Sequence, residues 1–137
     1  VGEESEVVVM ERNGGPEEVF TYGHYLRLFI RQAKAKGAIP ILLSPTPNNR
    51  WTDGKIFRLT DSYTAWAKEV ARQENIQFID LNAISADKFD KMGEFRGRSL
   101  YKDSVHTNQE GAILNGESVL EGIRSILNFP LIQYLKK

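Results

Sequence analysis

Residues 33–44 read AKAKGAIPILLS and join the end of a helical pattern to a short apolar run. Apolar side chains recur upstream at helical spacing, at Leu26, Phe29, Ile30 and Ala33. This spacing predicts a helix from Thr21, as N-cap, to about Lys36, with Gly37 as its stop. The run at residues 38–44 then predicts a buried strand of a parallel sheet, and Pro40 falls among its first residues, where a missing N–H is tolerated.

The alternation of helix and strand continues towards the C-terminus. The patterns predict helices at about residues 55–74, 85–92 and 108–126, a second strand at 76–81, and a short docked segment from 128. Residues 1–20 predict a loop with one short strand, and Asn13-Gly14-Gly15-Pro16 is a turn signal. This order indicates an α/β domain with a parallel sheet.

The number of predicted strands is low for such a domain. Parallel sheets usually have about four to six strands, and only two are predicted here. We therefore expect an upstream segment or a partner to supply the remaining strands. The chain begins VGEESEVVV, with neither an initiator Met nor a signal-like region, which favours part of a longer chain.

Composition excludes several classes of protein. The 137 residues suit one domain, with 41% hydrophobic and 26% charged residues, as in globular proteins. The formal net charge of zero argues against binding to nucleic acid or to an anionic membrane, and no apolar run approaches the roughly 20 residues of a membrane helix. The absence of cysteine excludes disulfides, a thiolate nucleophile and a zinc–cysteine site.

Two loops are expected at the carboxyl edge of the sheet, where open α/β folds bind ligands: residues 44–53 and residues 93–106. The second contains Asp103-Ser104-Val105-His106. An Asp three residues before a His can fold back to accept a hydrogen bond from one imidazole nitrogen, which leaves the other nitrogen as a base. This spacing is also common by chance, so a loop histidine with a local ion pair remains an alternative.

The surroundings of this pair carry a family resemblance. Residues 99–112 (SLYKDSVHTNQEGA) precede a predicted helix and resemble the last conserved block of the SGNH (GDSL-type) hydrolases. Further segments resemble their rhamnogalacturonan acetylesterase branch, namely residues 21–27 (TYGHYLR), 33–41 (AKAKGAIPI), 44–51 (SPTPNNRW) and 78–82 (FIDLN). The resemblance covers about residues 20–127, and its most specific parts are the Asp-x-x-His block and the Pro-x-x-Arg-Trp loop.

The resemblance implies both a fold and an activity. The fold would be a three-layer, flavodoxin-like α/β domain, of which residues 1–137 form the C-terminal half and 1–20 a poorly defined lead-in. The intact protein would be a carbohydrate esterase that deacetylates a pectic or related polysaccharide or oligosaccharide through an acyl-serine. His106 would act as general base and then general acid, oriented by Asp103, with no metal or organic cofactor. An extracellular or periplasmic location is implied in the same way.

The sequence departs from the family at the nucleophile. It contains no Gly-Asp-Ser motif and no Gly-x-Asn-Asp segment; Ser62 lies inside a predicted helix and Ser104 inside the Asp-x-x-His itself. We therefore expect negligible esterase activity from the isolated chain. One alternative is a non-catalytic binding or assembly module that pairs with another subunit. Another is a truncated product that self-associates through exposed edges.

Other side chains have a functional and a structural interpretation. Asn49, Arg50 and Trp51 are candidates for substrate contacts, although Trp51 could instead pack on a helix. His24 favours a structural role, and Asp80 favours capping of the next helix. The remaining candidates, which we interpret as solvated surface, are Arg96, Arg98, Asp87, Asp90 and Glu94.

Overall fold

The computed structural model describes residues 7–12, 15–127 and 129–135 of the chain. These residues fall into two compact units, one formed by Val1–Leu42 and Asp61–Phe78 and the other by Leu43–Thr60 and Ile79–Lys137. The expectation of a single domain over residues 1–137 stays a prediction.

The first unit begins with a β-hairpin. Strands β1 (Val7–Arg12) and β2 (Gly15–Phe20) pair antiparallel, with Arg12 opposite Gly15. The expectation of a loop with one short strand is therefore wrong, because residues 15–20 form a second strand that pairs with residues 7–12. The Asn13-Gly14 part of the turn signal lies outside the described residues.

Helix α1 (Tyr22–Ala35) confirms the first predicted helix. The Thr21 hydroxyl accepts a hydrogen bond from the His24 N–H at 3.3 Å, and Gly37 follows the helix with φ +75°. Ile30 is buried, but Phe29, which was expected on the same apolar face, is 65% exposed. Within this unit α1 packs against helix α2 (Tyr63–Gln73). This contact covers only part of the apolar surface of α1 and leaves Phe29 exposed.

That neighbouring helix, α2 (Tyr63–Gln73), is shorter than predicted. Its buried side is formed by Thr64, Ala67, Val70 and Ala71. Glu74, just after the helix, links it to α1, because its carboxylate pairs with Arg31 at 3.3 Å and its carbonyl accepts from Lys34 Nζ at 2.6 Å. The predicted start at residue 55 is wrong.

Residues 55 and 56 instead belong to a second hairpin, which lies in the second unit. Strands β4 (Trp51–Thr52) and β5 (Lys55–Ile56) pair antiparallel around Asp53 and Gly54, whose φ angles are +50° and +72°. Two successive left-handed residues, with Gly at the second, are the geometry that a tight two-residue hairpin requires. With Asp53 and Gly54 in this turn, residues 53–56 cannot form the start of the predicted helix.

The two predicted sheet strands are present but short. Strands β3 (Ile41–Leu43) and β6 (Gln77–Ile79) form a two-stranded sheet. The second strand was predicted to extend to Leu81, but Asp80 caps helix α3 (Leu81–Met92) by accepting from the Ala83 N–H at 3.0 Å. This confirms capping as the role of Asp80, and it moves the predicted start of the helix from residue 85 to Leu81.

The second unit continues with three further elements: helix α4 (Glu94–Arg98), helix α5 (Gln109–Ser125) and a 3₁₀ helix at Pro130–Tyr134. Helix α5 confirms the last predicted helix, whereas α4 lies where a continuous loop was expected. A buried cluster joins α3 and α5 to the β4–β5 hairpin, and its members are Trp51, Ile56, Ala86, Phe89, Leu100, Tyr101 and Leu114.

An ion-pair network on α3 corrects the interpretation of its acidic residues as a solvated face. Arg58 Nη2 lies 2.8 Å from a carboxylate oxygen of Asp87 and 2.8 Å from one of Asp90. Asp90 also accepts the Ile56 N–H at 2.9 Å, and its side chain is only 10% exposed. The expectation is wrong for Asp90, because the arginine that neutralises it lies 32 residues away in the sequence.

Within the described part of the chain, no helix is both long enough and apolar enough to cross a bilayer.

Candidate active site

The Asp-x-x-His segment folds into a tight turn that lies in the second unit. Asp103 Oδ2 lies 2.8 Å from His106 Nδ1, so the hydrogen bond expected from the spacing is present. The other carboxylate oxygen, Oδ1, accepts the main-chain N–H groups of Val105 at 2.8 Å and His106 at 2.7 Å. One carboxylate thus holds both the imidazole and the backbone that carries it.

The imidazole of His106 is accessible to a substrate. The side chain of His106 is 75% exposed and that of Asp103 is 51% exposed. Because the Asp103 carboxylate can only accept, the proton of a neutral imidazole is placed on Nδ1, which leaves the Nε2 lone pair facing outward. The turn therefore presents a base whose tautomer is set by Asp103, three residues earlier in the sequence.

The charge of Asp103 is stabilised by the same contacts. Hydrogen bonds from the His106 and Val105 N–H groups, followed by the His106 side chain, lower the pKa of this carboxyl from 3.8 to about 2. The carboxylate thus remains ionised throughout the neutral and mildly acidic range. An ionised Asp is what an imidazole needs as a partner when it takes up a proton.

This pKa predicts a pH dependence of stability. Because the folded-state pKa of Asp103 (about 2) is below its unfolded value of 3.8, its contribution is present above about pH 4 and is lost as pH falls towards 2. The difference in Tm between the wild type and Asp103→Asn should therefore shrink across that interval, as measured by circular dichroism. Glu69→Gln is a positive control: the pKa of Glu69 on α2 is also lowered to about 2, so the Tm difference between the wild type and this variant should shrink in the same way. A constant difference between pH 6 and pH 2 would contradict the prediction.

Main-chain pairing closes the base of the turn. Tyr101 and Thr107 form an antiparallel bridge, and the Lys102 N–H donates to the His106 carbonyl at 2.8 Å. Asn108 caps α5 by accepting from the Gly111 N–H at 3.0 Å, and its own N–H donates to the Leu100 carbonyl at 2.8 Å. The turn that carries Asp103 and His106 thus lies immediately before the N-terminus of α5.

The loop at residues 45–51 contacts this turn, as expected for two loops at one edge. The Asn49 N–H donates to the Ser104 carbonyl at 2.9 Å, and Asn49 Nδ2 lies 3.5 Å from the Asp103 carbonyl. The buried Tyr101 hydroxyl donates to the Pro47 carbonyl at 2.7 Å. Burial raises the pKa of Tyr101 to about 12, so this donor keeps its proton at neutral pH.

The three candidates for substrate contacts lie in different environments. Trp51 is 9% exposed, packs edge-on against Phe89 at 6.4 Å between ring centroids, and donates Nε1–H to Asn49 Oδ1 at 3.0 Å. This environment favours the packing alternative for Trp51. Arg50 is exposed, with its guanidinium carbon 4.5 Å from the centre of the Phe57 ring. Substrate contacts by Asn49, Arg50 and Trp51 stay predictions.

The other sequence candidates have local structural partners. His24 stacks on Phe20 at 4.2 Å in the first unit, in keeping with a structural role. Arg96 pairs with Glu110, and Arg98 with Glu94 at 2.8 Å. Among the described residues, no group of three or more histidine, aspartate or glutamate side chains could hold a metal ion.

Ser62 differs from its predicted placement, and the loop contacts of Asn49 and Tyr101 were not predicted. Ser62 precedes α2 instead of lying inside a helix, because the helix begins at Tyr63. The Asn49–Asp103 and Tyr101–Pro47 contacts each join residues that are 54 positions apart in the sequence. No local pattern could indicate either contact.

Several curated proteins similar to this chain are rhamnogalacturonan acetylesterases by name. Rhamnogalacturonan acetylesterase of Emericella nidulans is 29% identical over 112 residues, which cover 81% of this chain and 46% of that protein. The probable rhamnogalacturonan acetylesterase YesY of Bacillus subtilis is 30% identical over 127 residues, which cover 88% and 58%. The chain thus spans about half the length of the curated relatives it matches. No protein-family model matches it.

Solved structures confirm the α/β expectation. The crystal structure of protein YxiM from Bacillus subtilis matches with a TM-score of 0.70 at 30% identity, over 78% of this chain and 32% of that one. A catalytic mutant of Axe2, an acetylxylan esterase from Geobacillus stearothermophilus, matches with a TM-score of 0.55 at 19% identity, over 74% and 45%, which supports the fold alone. Together with the sequence matches, these similarities confirm the resemblance of this chain to the SGNH hydrolases, in their rhamnogalacturonan acetylesterase-like branch.

Proposed function

We propose that the complete protein is a carbohydrate esterase that removes acetyl groups from a pectic or related plant polysaccharide. The single observation that carries this proposal is the 2.8 Å hydrogen bond between Asp103 and the exposed imidazole of His106. The names of the similar proteins support acetyl esters of rhamnogalacturonan as the substrate class. A polymeric plant substrate also supports an extracellular or periplasmic location.

In the proposed mechanism His106 exchanges protons in two half-reactions. Nε2 of His106 removes the proton from a serine hydroxyl while the serine oxygen attacks the carbonyl carbon of the acetyl group. Asp103 stabilises the imidazolium that forms. The imidazolium then gives that proton to the departing sugar oxygen, which leaves an acetyl-serine. Water attacks this ester with His106 again as base, so that acetate is released and the serine is regenerated.

We further propose that the nucleophilic serine comes from outside these 137 residues. The sequence holds no Gly-Asp-Ser motif, and the chain matches only part of each esterase relative. The isolated chain would then hold a base without an alcohol to activate and without oxyanion donors, which are usually the largest electrostatic contribution to acyl transfer.

The test compares the isolated chain with the complete gene product. We expect the gene product to release acetate from acetylated rhamnogalacturonan and the isolated chain to release none above the uncatalysed rate. A fluorophosphonate probe, which reacts with activated serines, should label one serine outside residues 1–137, as located by mass spectrometry. Binding of the polysaccharide without hydrolysis by the gene product would favour the non-catalytic module instead, and a labelled serine within residues 1–137 would contradict the assignment of the nucleophile.

A further inference from the structure

Asn49 connects the interior of the second unit to the Asp103–His106 turn. Its side-chain amide is engaged at both ends: Oδ1 accepts from the Trp51 indole at 3.0 Å, and Nδ2 lies 3.5 Å from the Asp103 carbonyl. Its main-chain N–H donates to the Ser104 carbonyl at 2.9 Å. Asn49 therefore contacts two consecutive carbonyl groups inside the Asp-x-x-His segment.

The inner end of this connection is rigidly held. The Trp51 ring belongs to the buried cluster with Phe89 and lies against Gly97 of α4. A Cβ atom at position 97 would lie 2.3 Å from the Trp51 ring, so glycine is required for this close approach. The indole N–H, and with it the Asn49 amide, is thus fixed by packing.

The outer end needs such support. The side chains of Asp103 and His106 are 51% and 75% exposed, so burial contributes little to fixing their positions. Local hydrogen bonds shape the turn internally, but they do not fix it relative to the neighbouring loop. The contacts of Asn49 supply that restraint.

We propose that Asn49 is a positioning residue for the Asp103–His106 pair and that Trp51 supports it. The inference deepens the proposed function, on which it rests for its kinetic consequence. Because both ends of its amide have partners inside the protein, Asn49 acts through the turn, a role different from the substrate contact predicted from the sequence. Catalytic geometry tolerates displacements of only about 0.5 Å, and a shift of about 1 Å can reduce the rate by about 100-fold.

The kinetic test uses the complete gene product on an acetylated oligosaccharide. We expect Asn49→Ala to lower kcat by about 10- to 100-fold and to leave KM within about twofold of the wild type. Trp51→Phe keeps an aromatic ring but removes the indole N–H, so it should lower kcat by a smaller factor, about 2- to 10-fold. Asn48→Ala changes the adjacent exposed asparagine and should leave both constants unchanged. A raised KM with unchanged kcat for Asn49→Ala would assign it to substrate binding and overturn the proposal.

A second readout is independent of catalysis. In the 137-residue chain, the backbone amide NMR signals of residues 103–106 report the position of the turn. We expect these signals to shift in Asn49→Ala and to keep their wild-type positions in Asn48→Ala, whereas the carboxyl pKa of Asp103 should stay at about 2 in both variants, because the hydrogen bonds that lower it lie within the turn. Turn signals identical to those of the wild type in Asn49→Ala would overturn the positioning role. If the gene product hydrolyses no acetyl ester, the proposed function fails, and the amide signals still decide the positioning role.

Discussion

Replacing His106 by alanine in the complete gene product is expected to lower kcat for acetyl-ester hydrolysis by about 1,000-fold or more. In the proposed mechanism, the variant would lack both the base that activates the serine and the acid that protonates the departing sugar oxygen. Because the imidazole is 75% exposed, its removal leaves no cavity, and the fold should be retained. Acetate release under saturating substrate measures kcat, and the far-UV circular dichroism spectrum checks the fold.

Asp103→Asn is the companion variant of this prediction. An amide can donate to His106 Nδ1, which favours the wrong tautomer, and a comparable change in a serine protease costs about 10,000-fold in kcat. Asp87→Asn makes the same chemical change in the Arg58 ion pair on α3 and should leave kcat unchanged. If His106→Ala and Asp103→Asn both retained wild-type kcat, the esterase mechanism proposed for this site would be wrong.

Replacing Phe89 by alanine is expected to lower the free energy of unfolding by about 3–5 kcal/mol. Phe89 is fully buried on α3, where its ring lies 6.4 Å from the ring of Trp51 and 5.4 Å from that of Tyr101. Its loss leaves a cavity beside the rings of Trp51 and Tyr101. Urea denaturation followed by tryptophan fluorescence measures the change.

The matched control is Phe95→Ala on the neighbouring helix α4. Phe95 is 93% exposed, so the same truncation should change the free energy of unfolding by no more than about 0.5 kcal/mol. Equal losses for the two variants would contradict the assignment of Phe89 to the core. Loss of Phe89 should also weaken the support of Asn49, because Trp51 packs on this ring.

Local signals were sufficient to predict much of the second half of the fold. Helix α5 begins where Asn108 caps it, and the Asp-x-x-His turn forms from groups within three residues of one another. Thr21 and Gly37 likewise bound α1. Such features depend on the backbone and side chains of adjacent residues, so the sequence alone can indicate them.

The failed predictions have a local and a distant cause. The apolar pattern after Lys55 resembled a helix, but the local Asp53-Gly54 turn pairs β4 with β5. Arg58, by contrast, pairs with Asp87 and Asp90 on α3, which are 29 and 32 residues away. The placement of Trp51 likewise depends on residues about 40 positions away, Phe89 and Gly97. Periodicity carries no information about which of two competing partners a segment will meet.

The main-chain construction of the Asp-x-x-His turn has a consequence for protein engineering. The Lys102 N–H pairs with the His106 carbonyl, and the Ser104 carbonyl accepts from Asn49, so neither bond uses the side chain of residue 102 or 104. Both side chains are exposed, as is that of Val105. A library at positions 102, 104 and 105 that omits proline, which would remove the N–H groups of Lys102 and Val105, is therefore expected to change the surface beside His106 while the base and its carboxylate keep their places.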